Sequence, residues 1–200
     1  MNHHLAVAIT GASGAIYGIR LLAELLAAGC RLSVMITPSG FTVLQEELGL
    51  DWSGGAEEVN RNLRGYYQAT AEELTYYDEK DFFSPLASGS ASPEAMIVAP
   101  CSMGSLARIA AGLSGNLLER TADVMLKEGR PLLLLPRETP LSAIHLENML
   151  KLARLGVRII PAMPGFYGHP QTLEDIVNFV VGKVLDQLGI EHHLYRRWGW

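Results

Sequence analysis

The chain has 200 residues, 48% of them hydrophobic, and a formal net charge of −5. That much apolar side chain excludes a disordered chain and suits one domain, while the acidic balance gives no sign of a nucleic-acid surface. Two widely separated cysteines, Cys30 and Cys101, exclude a disulfide scaffold or zinc-ligand spacing.

The opening Met-Asn-His-His has no basic segment ahead of its apolar run, so no secretory leader is expected. His3 and His4 read as a solvated terminus. Residues 5–10 form an apolar strand, and Gly11-Ala12-Ser13-Gly14 a tight turn. Residues 15–28 carry apolar side chains at helical spacing, and Gly29 ends that helix. Cys30 and the second strand, residues 32–37, follow, and Pro38 opens a helix that runs to about Leu48.

Residues 51–92 are less regular. Residues 57–64 have helical character, and 78–92, rich in Asp, Ser, Gly and Pro, read as a long loop or lid. Regular order returns with a strand at 95–100, helices at 102–111 and 117–128, and a strongly apolar strand at 132–136. A helix at 142–154, a strand at 157–163, a helix at 172–188 and a tail at 189–200 complete the order. Both cysteines adjoin strands and read as small core residues. No apolar run is long enough to span a membrane, and the cytoplasm is the expected compartment. Five apolar strands alternating with helices predict one α/β domain over residues 1–200. Its layout is three-layer, with a mostly parallel sheet of the Rossmann or flavodoxin type.

Ligands of such sheets bind beyond the carboxyl ends of the strands. Gly11 to Gly14 feeds a helix whose free amides favour a phosphate, with Ser13 as an added donor. The spacing is not the full dinucleotide pattern, which leaves a mononucleotide open. Ser102-Met103-Gly104-Ser105 repeats the arrangement after another strand; ordinary helix capping by Ser102 is the plain alternative. Arg137 and Glu138 follow five strongly apolar residues, placing an anion holder and a proton carrier at a strand end. Arg120 and Lys127, seven apart on one helix face, are expected to add charge to the same pocket. Of Glu46 and Glu47, one can reach inward. Tyr167 sits in a turn between glycines, and its hydroxyl can bind a phosphate. His145 and His169 lack metal-ligand spacing and read as structural.

Together these segments resemble the flavin prenyltransferase family, long described as partner proteins of 3-octaprenyl-4-hydroxybenzoate or phenylacrylic acid decarboxylases. The strings are TGASGAIYGIRLL from Thr10, PCSMGSLARIA from Pro100, NLLERTADVMLKEGRPLLLLPRETPLSAIHLENMLKLARLG from Asn116, and PAMPGFYGHPQTLEDIVNFVVGKVLDQLGI from Pro161. The resemblance implies reduced FMN and dimethylallyl monophosphate as ligands, no metal, and a homo-oligomer, commonly a dodecamer. Some relatives use the pyrophosphate. The implied reaction joins a dimethylallyl group to flavin N5 and then C6, closing a fourth ring, for use by a separate decarboxylase of the ubiquinone-pathway type.

By the same resemblance, Gly11, Ala12, Ser13, Ser102, Met103, Gly104, Ser105 and Arg137 match FMN-binding positions, with Thr37 beside them. Tyr167 and Lys183 match positions that grip the substrate phosphate. Glu47, Lys127, Arg120 and Glu138 match polar residues around the reacting centre, Glu138 as acid and base in ring closure. Ser13 is implied to help proton transfer. This chain departs from the family at Thr37-Pro38, where Ser-Lys is common, losing a charge and an N–H. A flavin-dependent cysteine decarboxylase of related fold is a rival, but residues 37–50 hold no histidine and 102–105 no asparagine. A flavin carrier without chemistry is the non-enzymatic alternative.

Overall fold

The computed structural model describes residues 3–199. Its strands are β1 (His4–Ile9), β2 (Arg31–Ile36), β3 (Leu74–Tyr76), β4 (Ala95–Cys101), β5 (Leu132–Pro136) and β6 (Arg158–Ile159). They form one six-stranded sheet in the order β3-β2-β1-β4-β5-β6, and every pairing is parallel. The helices are α1 (Ala15–Ala27), α2 (Pro38–Leu48), α3 (Ala56–Tyr67), α4 (Met103–Ala110), α5 (Leu117–Lys127), α6 (Ala143–Arg154) and α7 (Leu173–Leu188).

The apolar runs of the central strands serve two cores at once. Side chains alternate across a strand, so Leu5, Val7 and Ile9 enter one core with Leu22 of α1 and Val181 of α7. Ala6 and Ala8 enter the other, with Leu106 of α4 and Leu118 of α5. In β5, Leu133 and Leu135 join the first core, and Leu132 and Leu134 the second. A strand covered on both faces has no position to spare for polar side chains, as the run of leucines records. α1 lies close on the sheet because Gly18 has no Cβ: one there would meet the Ala99 carbonyl oxygen at 2.4 Å.

Several sequence expectations are corrected. β3 was missed, and the strand expected at 157–163 is only Arg158–Ile159. Both lie at sheet edges, where burial leaves a weaker pattern, and Pro161 and Pro164 have no N–H for a longer ladder. His4 is not a solvated terminus: it belongs to β1 and its ring hydrogen-bonds Ser33 at 2.8 Å, while His3 pairs with Glu94. The segment 78–92 is a loop, as expected, and is tied down at its middle. It holds a short 3-10 turn, Pro85–Ala87, with Leu86 fully buried, and the Glu79 backbone carbonyl accepts the Leu117 amide at 2.7 Å. Residues 192–197 pack back on α7, tied to Asp186. Cys30 and Cys101 are buried and unpaired, as expected of core residues. Among the described residues no helix is long and apolar enough to cross a membrane.

Candidate active site

In this strand order the chain leaves β1 toward one side of the sheet and β4 toward the other. The crevice between their carboxyl ends is the topological switch point, where open α/β sheets take their ligands. Thr10 ties the two ends together. Its hydroxyl, fully buried, donates to the Pro100 carbonyl at 2.8 Å and accepts the Ser102 amide at 2.8 Å. Sequence reading passed over Thr10 because a threonine ending an apolar strand has no signal of its own.

Three loops meet at the crevice. Gly11 touches the loop after β2 so closely that a Cβ would stand 2.3 Å from that of Ser39. Thr37 caps α2 by accepting the Gly40 amide at 3.1 Å, with Pro38 at the first helical position. Ser102 caps α4, accepting the Ser105 amide at 3.2 Å and donating to the Ser105 hydroxyl at 3.0 Å. The plain capping alternative for Ser102 is therefore real, and it also aims the opening amides of α4 at the crevice. These residues line a cavity of about 490 Å³ with Ser39, Gly104, Asn116 and Glu119. Glu119 is a buried carboxylate that accepts the Gly115 amide at 2.7 Å. It was not foreseen, since Glu in a first helical turn is common on surfaces.

The amides opening α1 are already occupied. Glu47, at the end of α2, accepts from Gly14 at 2.8 Å and from Ala15 at 3.0 Å. Partial burial raises its pKa, but hydrogen bonds from Ser13, Gly14 and Ala15 and the nearby Arg137 charge outweigh that, and the net shift is downward. Of the two candidate carboxylates, Glu47 is the one that reaches inward. The phosphate expected at the Gly11 to Gly14 turn thus meets a chain carboxylate on these two amides, while Gly11 itself faces the cavity. Ala12 is buried beside it.

Arg137 closes the group. Its Nε donates to the Ser13 carbonyl at 3.1 Å, across β4 from its own strand. Arg137 and Glu138 line a second, mostly apolar cavity of about 460 Å³ with Leu141, Met149 and Met163. Glu138 is exposed and accepts the Thr139 amide at 2.9 Å. Ser13, Glu47, Arg137 and Glu138 therefore stand together at the mouth.

Tyr167 and Lys183 form a separate cluster. The Tyr167 ring packs edge-on against Phe179 at 5.7 Å and Trp198 at 5.3 Å. Lys183 lies over the Phe179 and Tyr195 rings, and its pKa is raised, mainly by Tyr195.

Arg120 and Lys127 do not join the mouth within the chain, contrary to expectation. They share a face, but that face meets the segment 85–92: Arg120 donates to the Ala87 carbonyl at 3.0 Å and to Asp123 at 2.7 Å. Lys127 pairs with Glu128 at the end of α5 that leads into the amino end of β5, whereas Glu138 follows its carboxyl end. Among the described residues no group of three or more His, Cys, Asp or Glu is arranged to hold a metal. His145 caps α6, a structural role as expected.

Comparison with known proteins agrees with this geometry. The model of the family named Flavoprotein matches residues 1–185. A flavin prenyltransferase UbiX of Halalkalibacterium halodurans is 53% identical over 96% of this chain and 92% of its own length. A solved structure of AnUbiX (PadA1) in complex with FMN and dimethylallyl pyrophosphate superposes with a TM-score of 0.88 at 36% identity, covering all of both chains. A dodecameric FMN-dependent UbiX-like decarboxylase from Escherichia coli O157:H7 gives a TM-score of 0.85 at 42% identity, over 98% of this chain and all of that one. The fold and site define a flavoprotein of the Rossmann-like α/β type. Within that class, the chain belongs to the flavin prenyltransferase family.

Proposed function

We propose that this enzyme transfers a dimethylallyl group from dimethylallyl monophosphate to reduced FMN, forming bonds at N5 and C6, and passes the product to a separate decarboxylase. The observation that carries the reading is the hydroxyl- and amide-lined cavity at the β1–β4 crevice, joined through Ser13 to the Arg137–Glu138 mouth. The residues present fit FMN. The Ser39 amide in α2, the Met103 and Gly104 amides opening α4, and the hydroxyls of Ser39 and Ser105 are donors for an anionic phosphate. Gly104 leaves backbone open to a close ligand, a Cβ there having no neighbour nearer than 4.0 Å.

Reduced FMN supplies the electron-rich N5 and C6 positions for the allylic carbon. Arg137 holds the ligand against the Ser13 carbonyl side of the crevice. Tyr167 and Lys183 take the departing phosphate, stabilising its charge as bond cleavage proceeds. The apolar wall of Leu141, Met149 and Met163 keeps water from the allyl group. Ring closure adds a proton to the allyl double bond as its other carbon bonds to C6, and C6 loses a proton. Glu138 takes the proton from C6, and Ser13, bonded to Glu47, relays a proton nearby.

Arg120 and Lys127 enter this reading from a neighbouring copy in a homo-oligomer, the dodecamer being the expected form. The support is the far end of α5 on which Lys127 sits and the surface of α6. That helix buries only Leu152 and exposes Ile144, Leu146 and Leu150, a patch typical of subunit interfaces. Native mass spectrometry showing a monomer at micromolar concentration would contradict it.

The test is anaerobic incubation with reduced FMN and dimethylallyl monophosphate, followed by mass analysis of the extracted flavin. A flavin heavier by one dimethylallyl unit is expected. Recovery of intact FMN alone would favour a carrier.

A further inference from the structure

α7 ends at Leu188, and Gly189, at φ 71°, turns the chain back along the helix. The returning segment 191–199 has modest apolar burial: Leu194 packs against the core and Tyr195 against Phe179, while Trp198 is 78% exposed and only His192 is buried. A polar anchor on α7 adds to these contacts. Asp186 accepts from the Tyr195 hydroxyl, from Arg197 at 2.8 Å and from His192 at 3.2 Å, and stands 3.9 Å from Lys183. Gly182 makes the space, since a Cβ there would meet Tyr195 at 2.5 Å and His192 at 2.7 Å.

The segment carries two rings to the cluster described above. Tyr195 lies 5.1 Å from the Lys183 ammonium, and Trp198 packs on Tyr167. Asp186 is linked to Tyr167 through this segment, and it faces Lys183 as a counter-charge from one turn along α7. Its own pKa is lowered, because the bonds from Tyr195, Arg197 and His192 outweigh burial.

We propose that Asp186 is a positioning residue: it clips the segment 191–199 onto α7 and thereby sets Tyr167 and Lys183 for the substrate phosphate. The inference rests on the reading of those two residues as the phosphate subsite. An ordinary packing role for the tail would leave substrate affinity untouched when the tail is loosened.

Two variants of the full chain test it. Asp186→Ala removes the clip. Gly182→Ala fills the seat of Tyr195 and His192 without changing any charge, and alanine favours the helix itself, so α7 remains. Limited trypsin digestion, read by intact mass, reports the seating of Arg196 and Arg197 without any substrate. Faster cleavage at these sites is expected in both variants. The KM for dimethylallyl monophosphate should rise about 10-fold, as for loss of a fixed hydrogen bond to an anion, with kcat and the FMN Kd near wild type. Wild-type cleavage rates in both variants would overturn the clip. Faster cleavage with unchanged KM would overturn its part in the site. Lys183→Ala in the same KM assay separates the two ideas: a raised KM there with none in the clip variants removes only this inference, whereas no change in any of them removes the phosphate subsite as well.

Discussion

Glu47 accepts the Gly14 amide at 2.8 Å, so a carboxylate from the end of α2 sits on the amino end of α1. Its pKa is depressed below the ordinary 4.5. A group with a depressed folded-state pKa stabilises fully above its unfolded value and loses that contribution as pH falls through the folded one. Glu47→Gln should therefore cost about 0.3–1 kcal/mol near neutral pH, the usual worth of an exposed anion at a helix start. The difference in Tm from wild type should close as pH falls below 4.5. A difference independent of pH would contradict the role of its charge.

Thr10 bridges the ends of β1 and β4 from a fully buried position. Thr10→Val keeps the shape but strands the Ser102 amide at the cradle. A buried donor left without a partner costs about 1–3 kcal/mol. Urea unfolding should show that loss, and FMN titration should show weaker binding as Ser102 shifts. Wild-type FMN affinity would mean that Ser102 is positioned by its own helix.

Much of this arrangement was legible beforehand, and the failures have physical causes. The central strands announced themselves because burial on both faces leaves near-continuous apolar runs, as in residues 132–135. β3 did not, being three residues at an edge beside Glu72 and Glu73. Glycine and serine turns marked the cradle, and Arg137-Glu138 marked the mouth. The occupant of the α1 amides was hidden, since nothing local to Glu47 says that it folds back over Gly14. Helical spacing and the family resemblance both group Lys127 with Glu138, but spacing along α5 says which face a residue shares, not which end of the sheet it reaches. The tail looked featureless because its partners, Gly182 and Asp186, lie one helix earlier.

Tyr167→Phe removes one hydroxyl and keeps the ring contacts with Phe179 and Trp198. A hydrogen bond to a charged group is worth about 1.5–3 kcal/mol, so dimethylallyl monophosphate should bind roughly 10- to 100-fold more weakly. FMN binding should be unchanged. Equal substrate Kd values by calorimetry would remove Tyr167 from the phosphate subsite.

Glu138 is exposed at the mouth beside Arg137 and accepts a hydrogen bond from its neighbour Thr139. Glu138→Gln keeps size and should keep FMN. It cannot accept a proton, and general base catalysis is worth about 10²–10⁴-fold. Stopped-flow spectra with mass analysis of quenched flavin should show ring closure slowed by that factor. Cyclised product at the wild-type rate would leave Glu138 a positioning group only.

The central claim is that dimethylallyl carbon becomes bonded to the flavin at two positions. Carbon-13-labelled dimethylallyl monophosphate, turned over anaerobically with reduced FMN and this enzyme, puts that claim to an NMR measurement on the extracted flavin. The account predicts labelled carbons coupled to both N5 and C6 positions in one new ring. Label found only in dimethylallyl alcohol, with FMN unaltered, would contradict it.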